Sequence, residues 1–285
     1  MRYRKLGNTC IKLSELGLGV EHLKDMPSDY IRDIVDFSSN NGVNYFDLVW
    51  SLPNVVEGIA QGIEGRTDNL LAIHLGSCHE GGKYKRSRDI ALCRRTYEEV
   101  KSQFNSDNIF IINLHYLSDL RQWEKYSKEK ELMGLALELR NYGDLISVST
   151  HDVSVVREAA NHPQIDNIMF QINIANHNLK GRDEALLKCK NKGVDLVAMK
   201  PYAGGKLLKF NRKTKIARWR TGGVTLEAKI PGTLTTHKCL KYVLDQPGVK
   251  CVVSGVQNIE EMKDNLDYFN QRNIDYTREL ELIHS

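Results

Sequence analysis

With 285 residues, 41% hydrophobic and 27% charged, the chain has the composition of a folded globular protein, which excludes intrinsic disorder. Its net charge of +4 arises from interspersed basic and acidic residues, which excludes a strongly basic nucleic-acid-binding chain. No apolar run approaches the roughly 18 residues of a membrane helix, and the opening MRYRKLGNTC is too polar for a secretory signal, which points to the cytoplasm.

Short apolar runs alternate with longer amphipathic stretches. The first predicted strand is Leu16–Val20, followed by a helix over Ser28–Asn40 and strand Asn44–Leu48. Strand Leu70–Leu75 precedes a helix over Arg88–Phe104, and strand Ile109–His115 precedes one over Glu124–Asn141. Strands Leu145–Thr150 and Ile168–Ile172 flank a helix over Ser154–Asn161. A helix over Arg182–Lys192, strand Asp195–Lys200, a helix over Leu234–Gln246, strand Lys250–Gly255 and a helix over Ile259–Phe269 complete the series. Gly42 and Gly193 stand just past helix ends, where a left-handed residue is favoured, and Ser154 and Asn258 are the predicted N-caps. Runs such as LLAI, IFIINL and DLVAM suit strands buried on both faces.

Eight strands alternating with helices predict parallel pairing with right-handed crossovers, closing into one (β/α)8 TIM barrel over residues 1–285. An open doubly wound sheet is the alternative, but no G-x-G-x-x-G turn follows the first strand. Two segments break the pattern. His79–Ser87, with Gly81, Gly82 and nearby basic residues, reads as a flexible loop on the ligand side. Gly204–Thr236, with Gly222, Gly223 and Pro231, reads as a long loop with little periodicity. The basic residues Lys83, Lys85, Arg86 and Arg88, and the stretch Lys209–Arg220 with Trp219, read as solvated surfaces that hint at an anionic small-molecule substrate. The cysteines Cys10, Cys78, Cys93, Cys189, Cys239 and Cys251 contain no C-x-x-C pair and are expected to be free thiols.

Active sites of such barrels lie at the C-terminal strand ends. Those ends carry Glu21 and His22, then Asp47, His74 and His115, then His151 and Asp152. Gln171, Asn173, Asn176 and His177 follow the sixth strand, Lys200 ends the seventh, and Ser254 and Gly255 end the eighth. Apolar strands with titratable ends predict a functional pocket.

The segments MRYRKLGNTCIKLSELGLG, GVNYFDLV, SDNIFIINLH, LISVSTHD, FQINIANHN, VDLVAMKPYAGGKLL and VLDQPGVKCVVSGVQNIEEMKDNL occur in the order and spacing of aldo-keto reductases, and the chain resembles that family nearly end to end. The resemblance implies carbonyl reduction with a nicotinamide hydride and a tetrad of Asp, Tyr, Lys and His. Asp47 and His115 match two members; the Tyr position holds Leu52 and the Lys position holds His74. Leucine has no proton to give, so the usual general acid cannot come from position 52. The catalytic group is therefore expected to be Asp47, His74 and His115, with an imidazole moving the proton.

The resemblance also places Ser149 and Gln171 at the nicotinamide carboxamide, Pro201, Gly204 and Gly205 at the pyrophosphate, and Asn265 at the adenine. Ser254 and Gly255 fall in the cofactor segment, but Gly255 and Val256 stand where NADP-dependent members carry a phosphate-gripping Lys-Ser pair, and Glu261 replaces an arginine and would repel a phosphate. NAD is expected at least as much as NADP. The leading expectation is an aldo-keto reductase-like oxidoreductase with noncanonical acid–base residues. The alternative is a non-redox enzyme, with a metal at Asp47, His74 and His115 among its forms, or an inactive ligand-binding protein on the same barrel.

Overall fold

The computed structural model describes residues 1–285 except 8, 219–222 and 224, so Trp219, Arg220 and Gly222 lie outside the described residues. Strands β1 (Tyr3–Lys5) and β2 (Lys12–Ser14) form an antiparallel hairpin ahead of β3 (Leu16–Gly19), α1 (Ser28–Asn40), β4 (Tyr45–Leu48) and α2 (Pro53–Gly62). Next come β5 (Leu70–Leu75), a second hairpin of β6 (Ser77–Glu80) and β7 (Lys83–Arg86), α3 (Ile90–Lys101) and β8 (Ile109–Leu114). Helices α4 (Leu120–Tyr126) and α5 (Leu132–Leu139) lead to β9 (Leu145–Thr150), α6 (Val153–Ala159), β10 (Asn167–Gln171), α7 (Arg182–Lys192) and β11 (Asp195–Met199). A third hairpin, β12 (Lys213–Ile216) and β13 (Leu226–Lys229), precedes α8 (Thr236–Leu244), β14 (Val249–Gly255), α9 (Ile259–Asp267) and α10 (Thr277–His284).

Strands β3, β4, β5, β8, β9, β10, β11 and β14 pair in parallel and in that order into a closed barrel. The fold is the predicted (β/α)8 barrel. Side chains alternate between its two faces, as the two-residue strand period requires. Tyr45, Leu70, Ala72, Ile111, Leu145, Met169, Val197, Cys251 and Val253 pack inside, where Leu6 and Leu13 of the N-terminal hairpin join them. Phe46, Leu71, Ile73, Phe110, Ile112, Val148 and Phe170 pack outward against the helices. Gly17 faces inward because a Cβ there would stand 2.9 Å from the Tyr45 ring. No helix among the described residues is long and apolar enough to cross a membrane.

Four local expectations need correction. The stretch after β5 is a regular β6–β7 hairpin, because Gly81 and Gly82 both take positive φ and turn the chain in two residues. The long segment after β11 contains β12 and β13, whose alternation is hidden by exposed lysines. The single helix over Glu124–Asn141 is two helices broken before Leu132. Helix α6 is capped by Asp152, whose carboxylate accepts from the Ser154 and Val155 amides, so Ser154 is a first-turn residue. Asn258 caps α9 as expected, and Gly42 and Gly193 take left-handed conformations.

Candidate active site

Alternation along β4, β5 and β8 decides which residues reach the barrel mouth. Tyr45 and Ala72 point inward, so Asp47 and His74, two residues further on, point inward one layer higher. His115 follows β8, and its backbone amide donates to the Leu75 carbonyl at 3.0 Å, which holds it beside His74. Asp47, His74 and His115 are each at least 92% buried.

These three side chains form one line. Asp47 Oδ1 lies 2.6 Å from His74 Nε2, His74 Nδ1 lies 3.1 Å from His115 Nδ1, and His115 Nε2 lies 3.3 Å from the Tyr84 hydroxyl. The line orders its own protons. An ionised Asp47 accepts from His74 Nε2–H, so a neutral His74 presents a lone pair at Nδ1. His115 must then donate from Nδ1, which leaves a lone pair on Nε2 facing Tyr84. One added proton, placed on His74 beside the Asp47 carboxylate, reverses this order: His74 Nδ1–H donates and His115 carries its hydrogen on Nε2.

Burial, reinforced by the neighbouring His74, Arg88, Arg86 and His151, holds the His115 imidazole well below its ordinary pKa of 6.5. The same depression fixes a stability effect. Below about pH 6.5 an unfolded His115 takes up a proton that the native one refuses, so stability is lost as pH falls, by up to about 1.4 kcal/mol per pH unit. Urea midpoints measured at about pH 5.5 and 7.5 should differ less in His115→Gln than in the wild type; an equal difference contradicts the depressed imidazole.

Above this line opens a cavity of about 610 Å3, lined by Glu21, His22, Trp50, Ser149, Lys200 and Asn265 among others. Lys200 and Tyr116 adopt positive φ of 59° and 42°, uncommon for residues with a Cβ and a source of local strain where the site is built. Lys200 Nζ bonds both Glu21 carboxylate oxygens at 2.9 Å and links the ends of the first and seventh barrel strands. Burial raises the Glu21 pKa, but the Lys200 ammonium outweighs it and keeps the carboxyl ionised. Ser149 Oγ accepts from the Tyr116 amide at 2.8 Å. Among the described residues no group of three or more His, Cys, Asp and Glu could hold a metal ion, because Asp47, His74 and His115 are strung in a line rather than converging.

The model of the aldo/keto reductase family matches residues 15–279. The chain belongs to the aldo/keto reductase family. An uncharacterized oxidoreductase, YqkF of Bacillus subtilis strain 168, is 23% identical over 295 aligned positions, covering 96% of this chain and 93% of its own. The aldo-keto reductase AKR11C1 of Bacillus halodurans superposes in its holo form with a TM-score of 0.77 at 21% identity, covering 100% of this chain and 95% of the relative. Its apo form gives 0.69 at 20% identity, with the same shares covered. Family members act on small molecules and generally use NAD(P)H.

In this aldo/keto reductase, Leu52 is buried at the start of α2, in the outer core, and offers no proton. Pro201, Gly204, Gly205, Gly255 and Asn265 line the cavity with Ser149. Gln171 and Ser254 lie fully buried behind the lining; the Gln171 carbonyl accepts from Asn176, and Ser254 Oγ accepts from Asn265 Nδ2 at 3.0 Å. Asn173 and Asn176 cap each other across a short turn, and His177 meets Tyr242, so these strand-end residues serve the scaffold. No basic residue of 83–88 or of the described part of 209–220 lines the cavity, whose basic side chain is Lys200. Arg88 instead donates to the His115 and Tyr116 carbonyls at 2.7 and 3.1 Å and pins the turn after β8. Trp50 and Tyr84 escaped the sequence reading. The Gly81-Gly82 pair between two four-residue runs is the signal of a two-residue hairpin turn, but nothing in it brings Tyr84 to His115.

Proposed function

We propose that this protein is a nicotinamide-dependent carbonyl reductase whose proton is stored and moved by Asp47, His74 and His115. The observation that carries this reading is the unbroken hydrogen-bond line beneath the cavity. A nicotinamide, when bound, supplies the hydride. The protein's residues handle the proton. In the charged state His74 is an imidazolium held by the Asp47 carboxylate, and His115 presents Nε2–H to the Tyr84 hydroxyl at the cavity's edge. As the carbonyl becomes an alkoxide, His115 releases that proton and takes another at Nδ1 from His74. The line ends neutral, and solvent restores its charge. His74 thus keeps a cation at the family's lysine position while adding a second nitrogen that passes the proton on. The ionisable groups facing the line include Asp47 itself, Tyr45 and Cys251 beside Asp47, and Tyr84, Arg86, Arg88 and His151 beside His115.

The residues present fit a dinucleotide. Gly204 and Gly205 take φ of 65° and 76° in the cavity wall, and a Cβ on Gly205 would meet nothing within 4 Å, so the turn leaves room for a pyrophosphate against its backbone. Ser149 would meet the carboxamide and Asn265 the adenine. Glu260, Glu261 and Asp264 make the far wall acidic, which suits a ribose with a free 2′-hydroxyl and disfavours a 2′-phosphate. Titration by nicotinamide fluorescence should show NADH binding at least as tightly as NADPH. Glu261→Arg should shift the ratio toward NADPH by about tenfold, about 1.4 kcal/mol. Failure of both cofactors to bind at millimolar concentration would contradict the reading.

A further inference from the structure

We infer that Tyr84, delivered by the β6–β7 hairpin, is the terminal proton donor that replaces the tyrosine missing at position 52. The inference rests on the carbonyl-reductase reading above. Tyr84 stands in β7, opposite His79, and its hydroxyl is 3.3 Å from His115 Nε2, the atom at which the histidine line delivers its proton. Its ring packs edge-on to Trp50, with centroids 4.7 Å apart and planes at 86°, and both Trp50 and His115 line the cavity. The ring is thus held by Trp50 and the hydroxyl by His115, at the edge of the cavity that both residues line.

The hairpin that presents it is built rather than loose. Ser77 Oγ donates to the Val49 carbonyl at 2.5 Å, and Ser51 Oγ donates to the Ser77 carbonyl at 2.7 Å. Both bonds tie the hairpin base to the segment just before Leu52. The Ser87 amide donates to the Gly76 carbonyl at 3.0 Å and closes the base. The hairpin that carries Tyr84 is thus bonded to the loop that leads to Leu52. Partial burial raises the Tyr84 pKa, so the hydroxyl keeps its proton at neutral pH.

The step balances. A bound reduced nicotinamide would supply hydride to the carbonyl carbon as the C=O π pair moves to oxygen. The Tyr84 O–H bond breaks as its proton joins that oxygen. The phenolic oxygen takes the proton of His115 Nε2, His115 Nδ1 takes that of His74 Nδ1, and His74 returns to its neutral form beside Asp47. Tyr84 ends protonated, ready for another turn.

Tyr84→Phe keeps the ring against Trp50 and removes only the hydroxyl. NADH consumption is followed with a panel of aliphatic and aromatic aldehydes and ketones, p-nitrobenzaldehyde among them. For any carbonyl reduced by the wild type, Tyr84→Phe should lower kcat about 100-fold and change KM less than about threefold. Its solvent deuterium isotope effect on kcat should exceed that of the wild type, because proton transfer then limits the rate; a packing role moves neither quantity in this way. A kcat within about twofold of the wild type would overturn the assignment of Tyr84 alone. No NADH consumption by the wild type with any carbonyl would overturn the reductase reading and the assignment with it.

Discussion

His74→Gln should lower kcat for NADH-dependent carbonyl reduction about 1000-fold while leaving NADH affinity within about twofold. Glutamine can still donate to Asp47 from its amide, so the carboxylate keeps a partner 2.6 Å from the former imidazole nitrogen. An amide does not titrate, and it cannot accept a proton at one end while releasing one at the other. The contact of 3.1 Å to His115 Nδ1 is then chemically silent. His74→Leu removes the donor as well and leaves a carboxylate that is 7% exposed without its partner. That variant should lose about 3 kcal/mol of stability in addition to its activity. Urea denaturation separates the two effects, since the glutamine variant should unfold near the wild-type midpoint. Full activity in His74→Gln would remove His74 from the chemistry.

Gly58→Val and Gly62→Val should each destabilise the protein by about 3 kcal/mol. The two glycines lie four residues apart on one face of α2, against α1. A Cβ at Gly58 would stand 2.6 Å from Ile31 Cβ and 2.7 Å from the Ser28 carbonyl. One at Gly62 would stand 2.6 Å from Val35 Cβ and 2.9 Å from the Arg32 carbonyl. Neither backbone can retreat without parting the helices. Gly65→Ala is the control: φ is 74° and nothing lies within 4 Å, so only the left-handed strain of about 1 kcal/mol remains. The packing matters to the site because α2 starts at Pro53, directly after the loop carrying Trp50 and Ser51. Urea midpoints of the three variants test the contrast.

The barrel was legible because parallel strands buried on both faces leave unbroken apolar runs such as Leu70–Leu75 and Leu145–Thr150, whose ends the structure reproduces. The meeting of Asp47, His74 and His115 was legible for a related reason: titratable residues at the ends of neighbouring strands share one mouth. Their order along a line was not, since it depends on ring orientation rather than on strand position. Tyr84 was illegible as a site residue. Its neighbours Lys83, Lys85 and Arg86 make β7 look like a solvated loop, and its partner His115 is 31 residues away. The break between α4 and α5 was hidden too. The periodicity runs on past Ser127, but the turn between the two helices brings the Glu129 carbonyl against Gly134, where a side chain would not fit. At α6, Asp152 and Ser154 are both good caps by type, and only the geometry favours the carboxylate.

In the proposed mechanism the proton lost to the carbonyl oxygen is supplied through the His74–His115 line. The pH dependence of kcat in both directions tests it most directly. Reduction needs the protonated line, so its kcat should fall tenfold per unit as pH rises past the line's pKa, with a one-proton slope. Oxidation of the product alcohol needs the neutral line, so its kcat should rise through the same pKa. A reduction rate that stays flat from about pH 5 to about pH 9 would contradict the account.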